Sequence, residues 1–131
     1  MVGGQQGADL VVATRLVSAD VQLAVANEGS TLADTLSVSG LVSNSTILSS
    51  DGADSLNLGT LAGGTTTLMD GGDTLIVGSS LGGYVDVGSG ADLVSASGSI
   101  SAGTVMGGSG ADSSTLGGIA ASSSVVGGFG A

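Results

Sequence analysis

At 131 residues the chain is long enough for one domain. With one Tyr, one Phe and no Trp, any core must be built from Val, Leu, Ile and Ala. A net charge of −10 against a single basic residue, Arg15, removes the cationic footprint that nucleic acid or an anionic membrane surface requires. The absence of Cys and His excludes disulfides, thiolate and imidazole metal sites. Carboxylate and carbonyl oxygens remain, and these suit calcium or magnesium. The 26 glycines would fit a linker, but the wealth of aliphatic residues argues against disorder.

The first copy of a short glycine–aspartate turn is QGAD at 6–9. The MVGGQQ before it has neither the charged start nor the apolar stretch of a secretory signal. No apolar run reaches the length of a membrane span, so no membrane insertion is expected. Val11 and Ala13 stand two and four residues after Asp9, the alternation of a short strand with one buried face. The segment DVQLAVANEGSTLA at 20–33 is longer than its later equivalents and holds the only Glu, Glu28. An irregular coil or a longer loop is expected there. The next copy, TLAD at 31–34, lacks the glycine, yet Leu36 and Val38 restore the alternation, and Leu41 and Ile47 supply a second and a third apolar position.

From residue 51 the pattern is regular. DGAD (51–54) is followed by Leu56 and Leu58, then Leu61, then Thr66 as the one polar exception at the third position. DGGD (70–73) leads to Leu75, Val77, Leu81 and Val85, and GSGAD (88–92) to Val94, Ala96, Ile100 and Val105. GGSGAD (107–112) leads to Ser114, Leu116, Ile119 and Val125, and GGFGA (127–131) reads as the start of a further copy. Counted between Asp9, Asp34, Asp54, Asp73, Asp92 and Asp112, the intervals are 25, 20, 19, 19 and 20.

Each unit therefore reads as two short strands joined by two tight turns. One unit cannot bury its apolar face alone, whereas stacked copies can. The expected fold is all-β: a right-handed parallel β-solenoid, or β-roll, of about 19–20 residues per coil. Residues 1–131 form one solenoid, irregular over 1–50 and regular over 51–131, and read as a segment of a longer repeat array. A β-sandwich of evenly spaced hairpins is the competing fold, but it has no need of an aspartate at one phase of every unit.

Stacking places the motif aspartates in a column. Two carboxylates about 5 Å apart repel by roughly 3–4 kcal/mol at an effective dielectric near 20. The side chains must splay into water, share protons or hold cations between them. Glycine turns expose backbone carbonyls, and calcium takes six to eight oxygens, so cations are the favoured answer. The candidate metal ligands are Asp9, Asp54, Asp73, Asp92 and Asp112, with the turn glycines Gly88, Gly90, Gly107, Gly108 and Gly110. Asp51 and Asp70, three residues before their motif aspartates, add ligands or surface charge.

GGSGAD followed by SSTL (107–116), and GSGAD followed by LVSA (88–96), resemble the RTX nonapeptide G-G-x-G-x-D-x-U-x, where U is a large apolar residue. The likeness covers residues 51–131 well and 1–50 weakly. It implies a calcium-dependent parallel β-roll on a secreted bacterial protein. The usual family pattern carries the nonapeptide on both sides of the roll. Here it occurs once per coil, and the opposite turn (Ser97–Gly98, Gly117–Gly118) has no aspartate. That layout is similar to the one-sided repeats of RTX adhesins and ice-binding regions.

No His, Cys or Lys is present to act as base or activated nucleophile, so an enzyme is not expected. Asp51/Asp54 and Asp70/Asp73 could be drawn as acid–base couples, but their recurrence at coil spacing reads as a ligand ladder. The expected function is a calcium-stabilised structural repeat of a secreted surface protein: an adhesin, a surface-layer subunit or an extracellular fibre. Its partners would be calcium ions and neighbouring repeats or further copies of the chain. A filament subunit stacking end to end is the alternative. An ice- or polysaccharide-binding module is the lesser one, since no regular threonine ladder is visible.

Overall fold

The computed structural model describes residues 2–3, 7–23 and 31–128. Among these residues there is no helix, and every strand pairing is parallel. The chain winds as a β-solenoid of about five turns. In the N-terminal part, β1 (Val2–Gly3) pairs with β4 (Asp20–Gln22), while β2 (Leu10–Ala13), β3 (Leu16–Val17) and β4 all lie on β5 (Thr35–Leu48). β5 lies on β6 (Ser55–Thr67), which carries β7 (Thr74–Val77) and β8 (Leu81–Asp86). Those two rest on β9 (Leu93–Met106), and β10 (Ser113–Ile119) and β11 (Ser124–Val126) close the stack.

Period-two alternation becomes columns of buried side chains because each strand sits in register on the next. Leu36, Leu56, Leu75 and Val94 form one column, and Val38, Leu58, Val77 and Ala96 the next. All eight are buried. On the opposite strand, Val21, Ile47, Thr66, Val85 and Val105 align with the partly buried Val125. A further column, Leu23, Ser49, Leu68, Val87 and Gly107, is set by backbone hydrogen bonds such as Ser49 N–H to the Thr67 carbonyl. The alternation after the aspartate did not reveal it.

The core thins toward the C-terminal coils. Val94 and Ala96 stand where the coil of Asp54 has Leu56 and Leu58, and Gly107 stands where it has Leu68. Each lost methylene removes about 0.8 kcal/mol of burial. Beyond Val94 the column ends in the exposed Ser114, and Ile119 is exposed as well.

Two expectations need correction. Val42, not Leu41, fills the second apolar position of its coil. A bulge after Val38 sets Leu41 beside Thr60 and Val42 beside Leu61, which turns Leu41 partly outward. The first coil is also regular for longer than the sequence suggested. Its strands pair with β5 from Leu10 beside Thr35 to Gln22 beside Leu48, with a one-residue shift between Ala13 and Leu16. The extra residues of the first interval therefore fall after Leu23, and 24–30, with Glu28, lie outside the described residues.

The outward faces are mixed. One column runs Thr46, Thr65, Tyr84, Thr104 and Ser124, so register does produce a row of hydroxyls. The column beside it, Leu48, Thr67, Asp86, Met106 and Val126, has no common chemistry.

Thr66 is fully buried, its Oγ1 has no hydrogen-bond partner, and it sits between Ile47 and Val85 in an otherwise aliphatic column. A buried hydroxyl left unpaired costs about 1–3 kcal/mol. Thr66→Val preserves shape and removes that cost. The variant is expected to gain about 1–2 kcal/mol in urea unfolding.

Candidate functional site: a buried aspartate column

The turn that begins each coil brings its aspartate inward. Asp34, Asp54, Asp73 and Asp92 are only 1–2% exposed, while Asp9 and Asp112, near the ends of the stack, are partly buried. Splaying into water is therefore excluded for the central four. Turn geometry is responsible. The glycine two residues before the aspartate takes a left-handed φ at Gly71 (156°), Gly90 (147°) and Gly110 (137°). It also packs directly on the turn below: a β-carbon on Gly90 would overlap the carbonyl oxygen of Gly71. Any side chain here would push the coils apart.

From Asp34 onward each carboxylate is tied to the preceding coil through one oxygen. The N–H of Asp9 donates to Asp34 Oδ1 at 2.7 Å, Asp34 N–H to Asp54 Oδ1 at 2.7 Å, and Asp54 N–H to Asp73 Oδ1 at 2.8 Å. Asp73 N–H donates to Asp92 Oδ1 at 2.8 Å and Asp92 N–H to Asp112 Oδ1 at 3.2 Å. The motif aspartate is thus a rung that caps a backbone donor the sheet ladder leaves free at the turn. The backbone carbonyl of each rung serves the strand that follows on the next coil, as in Thr74 N–H to Asp54 O at 2.8 Å.

The second oxygens divide the column. Asp34 Oδ2 accepts from the Ser50 hydroxyl at 2.9 Å, and Asp54 Oδ2 from the Ser50 N–H at 3.1 Å. The Oδ2 atoms of Asp73, Asp92 and Asp112 are buried with no hydrogen-bond partner, and so is that of Asp9. A charged hydrogen bond contributes about 1.5–3 kcal/mol, and each carboxylate faces like charges one coil away at roughly 3 kcal/mol apiece. At Asp73 and Asp92 one N–H does not offset burial and that repulsion together. A proton or a cation must complete the balance.

Acidity follows from this geometry. Burial is the main cause that pushes Asp73 up to about 6 from 3.8. The Asp54 N–H opposes the rise, and the charges of Asp54 and Asp92 add to it. Asp92 is raised for the same reasons: burial first, opposed by the Asp73 N–H and reinforced by Asp112.

The sequence-predicted ligands are only partly brought together. Asp51 and Asp70 lie on the outside of the turn. Asp70 is exposed and accepts from the Ser89 hydroxyl of the next coil. Among the described residues no three acidic side chains converge on one point. A cation here would draw one or two carboxylates from the column and its remaining ligands from turn carbonyls such as those of Gly88, Gly90, Gly107, Gly108 and Gly110. The buried unpaired Oδ2 atoms, as hard anionic donors, fit that demand. Ser50 was missed by the sequence reading. Its only signal is a serine four residues before the aspartate, where Met69, Gly88 and Gly108 stand in later turns.

No protein-family model, no curated protein and no solved structure matches the chain.

The metal-free protein should lose stability as pH rises. The folded state holds a proton on Asp73 up to about 6, whereas the unfolded chain releases it near 3.8. Between these values the native state binds more protons, so the unfolding free energy falls with increasing pH. Thermal melting in chelator at stepped pH is expected to show a declining midpoint across that window. Asp73→Asn should flatten the decline.

Proposed function

We propose that the chain is a calcium-stabilised structural repeat of a secreted bacterial surface protein, of the RTX type. The observation that carries this reading is the row of buried, unpaired carboxylate oxygens at Asp73, Asp92 and Asp112, one per coil, on the edge that bears the glycine turns. Asp9 and Asp54 belong to the same column. A bound calcium would supply positive charge between carboxylates that otherwise repel. The protein's own part is to hold each carboxylate by an inter-coil N–H and to present glycine turns thin enough for successive coils to touch.

On this reading the role is mechanical. Coils that repel along one edge in a calcium-poor cytoplasm would remain loose enough for export, and calcium outside would close the edge. The outward faces offer mixed side chains and no nucleophile–base pair, which accords with a rod or spacer more than with a catalyst. Among the described residues the hydroxyl row from Thr46 to Ser124 has the mixed column Leu48 to Val126 beside it, and a second hydroxyl-rich row, Thr35, Ser55, Thr74 and Ser113, is broken by Leu93, so neither supplies the matched rows of a flat ice-binding lattice.

The test is calcium titration of chelator-treated protein followed by circular dichroism, with magnesium as control. A gain of β-structure specific to calcium is expected. A β-fold that ignores both chelator and calcium would leave a plain aliphatic solenoid and defeat the proposal.

A further inference from the structure

Ser50 makes one step of the aspartate column unlike those that follow. Its hydroxyl donates to Asp34 Oδ2 and its N–H to Asp54 Oδ2, so both second oxygens at this step are served by the protein itself. Two coils later the equivalent residue is Gly88, whose N–H donates to Asp86 Oδ1 at 3.2 Å, away from the column. Gly88 and Gly108 both take a left-handed φ, 83° and 68°, a conformation that serine rarely adopts. At Gly88 the amide thus turns away from the column and at Ser50 it faces in, while at the Asp73 turn the position is Met69 and Asp73 Oδ2 has no partner.

From this contrast we propose that Ser50 replaces a cation at the Asp34–Asp54 step, and that from Asp34 onward the need for an ion is confined to the coils of Asp73, Asp92 and Asp112. The inference rests on the calcium reading above and narrows it to particular coils. A second observation points the same way. The aliphatic core is widest at the coil of Leu56 and Leu58, where Ser50 closes the column, and thinnest at Val94, Ala96 and Gly107, where the carboxylates are open. The coils of Asp34 and Asp54 are self-sufficient in both respects, whereas Asp9 at the first coil keeps an unpaired Oδ2. The C-terminal coils lack both apolar volume and an internal counter-donor, so calcium withdrawal should open the solenoid from that side, with β5 and β6 as a permanent base.

Native mass spectrometry gives the ion count, and amide hydrogen exchange with and without chelator gives the location. In the wild-type chain, chelator should speed exchange over 93–119 by roughly tenfold or more and leave 35–67 within about twofold. Ser50→Gly should bind an additional calcium and extend the chelator sensitivity to 35–67. Calcium binding with no change of count in Ser50→Gly, or equal deprotection of both regions in the wild type, would overturn the inference and leave the calcium reading intact. A wild-type chain that binds no calcium would remove both. The exchange comparison in the wild type stands even if the variant fails to fold.

Discussion

Each coil from that of Asp34 onward reaches back to the one before it at the turn, the carboxylate of its motif aspartate accepting from the backbone N–H of the preceding motif aspartate. Much of the structure depends on that contact. It spares a turn donor from burial without a partner, it fixes the axial register of the coils at one edge, and it stacks anions at strand spacing. The glycine two residues upstream serves it by removing the β-carbon that would collide with the turn below. The aliphatic columns then need only to be narrow, which accounts for a core without aromatics.

The same contact creates the molecule's chief electrostatic problem. At Asp73 and Asp92 burial, reinforced by repulsion between successive carboxylates, exceeds what one N–H per rung returns. The chain answers in two ways along its length. At Asp34 and Asp54 a serine supplies the missing donors. At Asp73 and Asp92 nothing in the protein does, and burial drives the carboxyls toward the protonated form. On the proposed reading, proton and calcium would compete for the same oxygens, and acidity and calcium would act as substitutes at the C-terminal coils.

The repeat period and the inward positions two and four after each aspartate were legible in the sequence because burial on one face of a strand writes itself as alternation. The column Leu68–Val87 was not, since Ser49 and Gly107 occupy its other levels and break the apolar signature. Leu41 was mistaken for Val42 because a bulge shifts the register by one residue in a run where both neighbours are aliphatic. As for the site, the sequence located the aspartates but not their direction. Direction is set by the turn backbone, which residue type alone does not spell out: Asp34 is buried with Leu32, not a glycine, two residues before it, and Asp51 and Asp54, three residues apart, differ in burial. Ser50 was invisible for the same reason: its importance lies in where one amide points.

The central claim is that the motif carboxylates are buried and in want of a counter-charge. Carboxyl-carbon NMR of isotopically labelled aspartate, followed through a pH titration with chelator and then with calcium, tests it most directly, with Asp73→Asn identifying the Asp73 signal. An Asp73 carboxyl that titrates near 6 without metal and stays ionised to distinctly lower pH in calcium is the expected result. Titration of every carboxyl near 3.8 in both conditions would contradict it.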